Sequence, residues 1–220
     1  MAEPIQEGIL REIDEELRKE QFAKLWMRYG RILIGVAIVI VSSVAGYKAW
    51  QSYDVTNRGQ QGERFAETIR LASEGNGEVA LDAMTAFQAD ASQGYQMLAG
   101  FQAAALMADG GDGQAAAAAY DKLASDNSLD VIYRDLAILL GTIQRMNSGG
   151  DTASLTTALA SLAADNNPWR YSARELIAVL SAQSGNKAKA RELFTALTDD
   201  ATTPQGIRMR ARELLTGLAE

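Results

Sequence analysis

Groups that could do chemistry are scarce in this sequence of 220 residues. It has no cysteine and no histidine, which excludes disulfides, thiolate and imidazole metal sites, and nucleophile–base pairs that depend on either residue. Asp199 and Asp200 could form a carboxylate pair, but adjacent side chains at a helix end point apart and nothing hydrophobic encloses them. The serine–lysine or enclosed acid pair of a membrane-tethered hydrolase is not evident. We therefore expect neither enzyme activity nor a cofactor.

One glycine-rich segment, Gly110-Gly111-Asp112-Gly113, could be mistaken for a ligand loop. It lacks the lysine and serine of a phosphate-binding loop and follows a predicted helix, not a strand. It also lacks the ligand ladder and terminal glutamate of a calcium loop. We interpret it as a turn between helices.

A binding function is better supported, because aromatic and cationic residues occur together. The segment 166–171 combines tryptophan, arginine and tyrosine, which concentrate in binding hot spots. Tyr95, Tyr133 and Arg134 open predicted helices at comparable places, so one groove could hold all of them. The predicted partner-binding residues are Tyr95, Tyr133, Arg134, Trp169, Arg170, Tyr171 and Arg174. The alternative is that Trp169 simply packs between the second and third helical hairpins.

The elements that position these residues are helices, because the chain has only three prolines and abundant helix-favouring residues. Glycine-rich turns recur at Glu74–Gly77, Gly110–Gly113, Ser148–Asp151 and Ser184–Asn186. The helix after each turn carries a large apolar residue in an equivalent place: Phe87, Leu123, Leu162 and Leu197. Their separations of 36, 39 and 35 residues are typical of tetratricopeptide-like hairpins.

We therefore predict an all-α fold, a single N-terminal transmembrane helix followed by a tetratricopeptide-like helical-hairpin solenoid. The predicted parts are a cytoplasmic amphipathic tail (1–31), the transmembrane helix (32–48), a linker (49–62) and the repeat domain with its C-terminal capping helix (63–220).

The transmembrane prediction depends on sixteen uncharged residues, Ile32 to Tyr47. Aromatic and basic residues that could anchor a helix at the membrane interfaces flank them: Trp26, Tyr29, Arg31, Tyr47, Lys48 and Trp50. A buried core helix and a cleavable signal peptide are the alternatives. The first should show a polar face, and the second should not follow thirty-one residues with seven acids. An uncleaved anchor fits better.

Charge indicates an orientation. Lys24, Arg28 and Arg31 precede the apolar segment, whereas Lys48 and Arg58 are the only basic residues close behind it. The positive-inside rule then places the N-terminus in the cytoplasm and, in a bacterium, the repeats in the periplasm. Residues 49–220 hold 14 basic and 21 acidic groups, so we expect no nucleic-acid binding.

The N-terminal tail has its own apolar stripe, Ile5, Ile9, Ile13 and Leu17, four residues apart. This spacing predicts an amphipathic helix. The stripe could dock a cytoplasmic partner, or the tail could be a solvated extension of the membrane helix.

The stretch DEELRKEQFAKLWMRYG at Asp14–Gly30, the single span after it and the acidic repeats together resemble the bacterial family of YfgM-like ancillary SecYEG translocon subunits. The resemblance implies an inner-membrane protein with a short cytoplasmic tail and a periplasmic repeat domain. It further implies association with the SecYEG translocon and with periplasmic chaperones or secreted proteins, without cofactor or small-molecule substrate. The expected function is thus a membrane-anchored periplasmic adaptor of the secretion channel. The alternative is a scaffold subunit of another inner-membrane complex.

Overall fold

The computed structural model describes residues 3–218, with the side chains of residues 1–18, 21 and 22 outside that description. Within this range the chain forms nine α-helices and no strand, which confirms the all-α prediction. The helices are α1 (Glu3–Ser73), α2 (Gly77–Asp90), α3 (Gln93–Asp109), α4 (Gly113–Ala124), α5 (Val131–Asn147), α6 (Thr152–Leu159), α7 (Arg170–Gln183), α8 (Lys187–Asp199) and α9 (Gln205–Gly217). The chain divides into two compact units, Met1–Gln60 and Gln61–Glu220.

The predicted linker, residues 49–62, is not an irregular connection, because the structure places it within α1. Its sequence is polar but contains no proline, and its three glutamines favour helix whereas its two glycines do not. Asp54 and Arg58 stabilise this part with an i,i+4 ion pair of 2.8 Å. Polarity alone therefore does not identify a break in a helix.

Four hairpins of the second unit turn on the same backbone geometry. The glycine two residues beyond each first helix has a positive φ: Gly75, Gly111, Gly149 and Gly185, with φ between 77° and 88°. In every case the glycine N–H donates to the carbonyl three residues earlier, and the next N–H donates to the carbonyl five residues earlier. This pair of hydrogen bonds is the Schellman motif, which ends a helix and requires a residue with left-handed backbone conformation.

The hairpins are formed by the end of α1 with α2, by α3 with α4, by α5 with α6 and by α7 with α8. Helix contacts run almost entirely between neighbours in sequence. Each of the equivalent apolar residues is buried in a different hydrophobic cluster along the unit: Phe87, Leu123, Leu162 and Leu197. The predicted repeat register is therefore confirmed for burial, but Leu162 lies three residues beyond the end of α6 and not within that helix as predicted.

The third hairpin contains one extra residue in its turn. The N-cap Asp151 lies two residues after the positive-φ glycine, whereas Asn76, Asp112 and Asn186 lie one residue after theirs. The extra residue is Gly150, where a Cβ would lie 2.9 Å from the carbonyl oxygen of Arg145. Glycine alone fits there. The insertion accounts for one of the three residues by which the 39-residue spacing before Leu162 exceeds the 36 residues between Phe87 and Leu123. The other two lie between Gly111 and Gly149, which are 38 residues apart.

Helix α9 closes the array by burying Ile207 and Ala211 against the last hydrophobic cluster. The Arg210 guanidinium donates two hydrogen bonds of 2.7 Å to the carboxylate of Glu175 on α7. These bonds raise the pKa of Arg210, and Glu175 is itself buried. A paired and bidentate contact therefore fixes the predicted capping helix.

Candidate protein-interaction surface

Three consecutive apolar residues at the start of α5 face solvent. Val131 is 61 % exposed, and Ile132 and Tyr133 are each 40 % exposed. We call these three residues the α5 edge. The loop before them is held by Leu129, which is buried, and by Asp126, whose carboxylate accepts from the backbone N–H of Ser128 at 2.8 Å. The side chain and backbone of Ser128 lower the pKa of Asp126, so a fixed loop presents the edge.

Arg134 lies directly beside this edge, half-buried in α5. One of its guanidinium nitrogens donates to Asn127 at 3.1 Å. Its Nε is buried and has no hydrogen-bond partner within the part of the chain that the structure describes. The side chain is therefore held against the loop and still has an unused donor.

Trp169 contacts the α5 edge from the interior of the repeat unit. Its indole N–H donates to the carbonyl oxygen of Ile132 at 2.9 Å, and its ring packs on the cluster that contains Leu139 and Leu162. The neighbouring Asn167 amide donates to Asp135 at 2.7 Å. Trp169 thus packs between the third and fourth hairpins, and not between the second and third as the packing alternative predicts.

Arg170 and Tyr171 make a second internal contact. The guanidinium of Arg170 lies 4.3 Å above the centre of the Tyr171 ring, and the buried Tyr171 donates through its hydroxyl to Asp200 at 3.2 Å. Asp200 also accepts from the hydroxyl and the backbone N–H of Thr202, and these bonds lower its pKa. The contact joins α7 to the loop before α9.

Tyr95 and Arg174 complete the predicted set. The Tyr95 ring packs 5.9 Å from those of Phe65 and Phe87 in the first cluster. The Nε of Arg174 donates to the carbonyl oxygen of Ala163 at 3.0 Å, and its guanidinium pairs with Asp165. The structure therefore brings Tyr133, Arg134 and Trp169 together at the start of α5, where Tyr133 is the exposed member. The other predicted residues lie in intramolecular contacts elsewhere along the unit: Tyr95, Arg170, Tyr171 and Arg174.

A scan of the sequence against protein-family models agrees with the repeat geometry. The family model described as "Tetratricopeptide repeat-like domain" matches residues 23–215. The chain belongs to the tetratricopeptide repeat-like family. No curated protein and no solved structure matches it. Tetratricopeptide repeat-like domains are typically non-enzymatic scaffolds for protein–protein interaction, and the all-α repeat array fits that description.

Sequence reasoning missed two members of the α5 edge of this tetratricopeptide repeat-like unit, Val131 and Ile132. A signal was present, because three apolar residues directly follow the N-cap Asp130, and a helix that buries only one face leaves part of such a run exposed. Aromatic residues do not distinguish the two cases, because they contribute strongly to both cores and interfaces.

The other candidate chemistry belongs to the repeat turns and loops. Asp112 of the glycine-rich segment accepts from the backbone N–H of Ala115 at 2.9 Å and so caps α4, which confirms the turn interpretation. Asp200 is engaged by Thr202 and Tyr171 as described. No group of three acidic residues that could hold a metal ion occurs in the described residues.

Among the described residues, α1 is the one helix of the tetratricopeptide repeat-like chain that is long and apolar enough to cross a membrane. Its apolar stretch has no buried residue, so it is not a core helix. The aromatic residues predicted as membrane anchors, Trp26, Tyr29, Tyr47 and Trp50, are all exposed. The stripe of Ile5, Ile9, Ile13 and Leu17 falls on side chains outside the described part of the chain.

Proposed function

We propose that the protein is a membrane-anchored scaffold of the bacterial inner membrane. Its apolar helix holds the tetratricopeptide repeat-like unit in the periplasm beside the SecYEG secretion channel, where the unit binds periplasmic chaperones or emerging chains. The observation that carries this proposal is an apolar stretch that no described residue covers, in a chain that matches a repeat-scaffold family.

The energetics favour a bilayer as the missing cover. Taking one Val, Leu or Ile side chain out of water contributes about 1.5–3 kcal/mol, and Ile34, Val36, Val39 and Val41 are among those left more than half exposed. Sixteen uncharged residues, with the flanking aromatics, span about one hydrocarbon thickness as a helix. The family match begins at residue 23, so the apolar stretch lies within the family domain.

The orientation rests on the basic residues before the stretch. Lys24, Arg28 and Arg31 would remain in the cytoplasm under the positive-inside rule, and Trp26, Tyr29 and Arg31 would meet one interface. Tyr47, Lys48 and Trp50 would then meet the other interface, with the repeat unit in the periplasm.

The α5 edge is the proposed contact for protein partners. Exposed aliphatic and tyrosine side chains on a fixed helix start can bury apolar area on a partner without large reorganisation. We assign positioning roles to Trp169 and Asn167, which tie this helix start to α7.

The assignment to the secretion channel is supported by the resemblance of Asp14–Gly30 to ancillary translocon subunits. The cytoplasmic stripe Ile5, Ile9, Ile13 and Leu17 would then offer a second contact on the opposite side of the membrane. A scaffold in another inner-membrane complex would use the same anchor and the same edge with different partners.

Site-specific photocrosslinking in membranes tests this proposal. We would place p-benzoylphenylalanine at Val131 and at Ile13, with the exposed Thr195 of α8 as a matched control. Capture of channel subunits or periplasmic chaperones at Val131 is expected. Capture of an unrelated membrane complex alone would reject the secretion assignment. Equal products at Val131 and Thr195 would reject the α5 edge.

A further inference from the structure

Charge is distributed unevenly within the repeat unit. Residues 61–130 contain three basic and eleven acidic groups, whereas residues 131–220 contain ten basic and nine acidic groups. The first two hairpins therefore carry a net charge of −8, and the rest of the unit carries +1. The asymmetry is sharpest between Arg70 and Lys122, where seven acidic residues occur without a basic one.

A groove of about 980 Å³ lies in this acidic part, between the turns of the first and second hairpins. Its apolar lining comes from Val79, Leu81, Leu106 and Met107. Its acidic lining comes from Glu78, Asp109 and Asp112, and no basic residue lines it. An apolar floor beside carboxylates is thus open to solvent.

The acidic groups are not neutralised from within. Arg70, the nearest basic residue before the groove, already pairs with Glu67 and Glu74. Among the side chains that the structure describes, neither Glu78 nor Asp109 forms an ion pair. Val79, which lines the groove next to Glu78 in the sequence, is 57 % exposed.

We propose that this groove binds a segment of a partner protein that carries lysine or arginine beside apolar residues. The proposal deepens the scaffold function and rests on it, because it names the chemistry of one partner. Apolar side chains of the segment would cover Val79, Leu106 and Met107. Its cations would face Glu78 and Asp109, since complementary charge fixes register and excludes wrong partners. Acidic segments and phosphate-rich ligands would be repelled.

The volume fits such a segment, because it lies at the upper end of the range for pockets that enclose a ligand, enough for two or three side chains. A second copy of this chain is the competing occupant, since α9 carries Arg208, Arg210 and Arg212 with the exposed Met209. Arg210 is already bound to Glu175, which leaves α9 less cationic than its sequence indicates.

The test uses the full chain in nanodiscs of zwitterionic lipid and a fluorescein-labelled 12-residue peptide of leucine and lysine. A matched peptide with glutamate in place of lysine is the ligand control. Fluorescence anisotropy compares Glu78→Gln/Asp109→Asn with Asp82→Asn/Asp90→Asn, which removes the same charge outside the groove. Crosslinking from p-benzoylphenylalanine at Val79 is compared with the exposed Thr85 on the same helix.

We expect the lysine peptide to bind and the groove variant to weaken its affinity about fivefold, because exposed ion pairs contribute modestly. Affinity should fall with added NaCl as charges are screened, and capture should occur at Val79 and not at Thr85. The control variant should bind as the parent does.

Equal binding of both peptides, equal weakening by the two double variants, or capture at Thr85 alone would overturn the proposal. So would tighter binding of a peptide covering residues 205–218 together with dimers that form at rising protein concentration, because the occupant would then be a second copy. The Val131 crosslinks do not involve this groove. If the lysine peptide does not bind the groove but the Val131 crosslinks persist, the groove proposal alone is rejected. If the peptide binds but the Val131 crosslinks to channel subunits or chaperones are absent, the secretion proposal alone is rejected.

Discussion

The apolar stretch of α1 and the core of the repeat unit use the same residue types in opposite environments. Val39 and Val41 are 64 % and 67 % exposed, whereas Leu159 and Leu162 are fully buried. In the repeats, small residues such as Ala80, Ala116 and Ala190 are also buried where helices pair, so aliphatic side chains find cover within the chain. Hydrophobicity alone does not decide where a residue lies; the availability of a partner helix does.

The largest expected effect comes from placing charge in the apolar stretch of α1, which we propose lies in lipid, while the repeat unit stays in water. Ile38→Asp/Val41→Asp should abolish membrane association, because each carboxylate near the bilayer centre costs about 2.5–3.5 kcal/mol on insertion scales. Carbonate extraction and fractionation would measure the loss. The repeat unit should keep its thermal unfolding midpoint, and a control variant, Thr195→Asp, should stay in the membrane fraction. Retention of the double variant in the pellet would contradict the anchor.

The converse change is in the repeat core. Phe194→Ala should destabilise the unit by about 3–5 kcal/mol, because it removes a fully buried ring and leaves a cavity. Urea unfolding followed by circular dichroism would measure it, with Thr195→Ala as the exposed neighbour for comparison. Membrane association should be unchanged. A Phe194→Ala protein that leaves the membrane would show that the two regions do not behave separately.

An intermediate loss of stability is expected at Glu175, a charged residue at a position that is apolar in the other hairpins. Glu175 lies ten residues before its turn glycine, where the other hairpins have Phe65, Phe101 and Leu139. Arg210→Leu should cost about 1–3 kcal/mol, since it strands a buried carboxylate, with the cost limited because Arg210 itself faces solvent.

The double variant Glu175→Leu/Arg210→Leu tests that explanation. It should recover most of the stability lost in Arg210→Leu, because leucine at this position is already accommodated in the third hairpin. Equal destabilisation in the single and double variants, measured in the same urea series, would show that Arg210 acts through packing and not through Glu175.

The smallest effect compares two asparagines at equivalent turns. Asn186 accepts from the backbone N–H of Lys189 at 3.1 Å and caps α8, whereas Asn76 makes no such bond to α2. Asn186→Ala should cost about 1 kcal/mol, and Asn76→Ala should cost clearly less. Paired chemical denaturation curves would resolve the difference, and equal losses would remove the capping explanation.

The repeat register was predictable because it depends on local chemistry. A glycine is needed wherever the Schellman turn imposes a positive φ, and Gly75, Gly111, Gly149 and Gly185 mark those places directly in the sequence. The burial of Phe87, Leu123, Leu162 and Leu197 then follows from their distance to the turn. The helical state of residues 49–62 was missed because polar composition resembles that of a linker.

The candidate site was harder to predict, because it depends on distant partners. The indole of Trp169 contacts a carbonyl 37 residues away, and Glu175 meets Arg210 across 35 residues. No spacing of nearby residues in the sequence predicts either contact. Val131 and Ile132 are exposed because no described helix packs on them at the start of α5. Which helices pack there is decided only when the repeats assemble.

The almost exclusive contact between sequence neighbours has a consequence for how the unit forms. Contacts of short sequence separation require little loop closure and give fast folding, and an array of hairpins can grow from any completed hairpin by adding the next. A chain delivered from one end could therefore fold progressively, each hairpin stabilising its successor, until α9 closes the last exposed face.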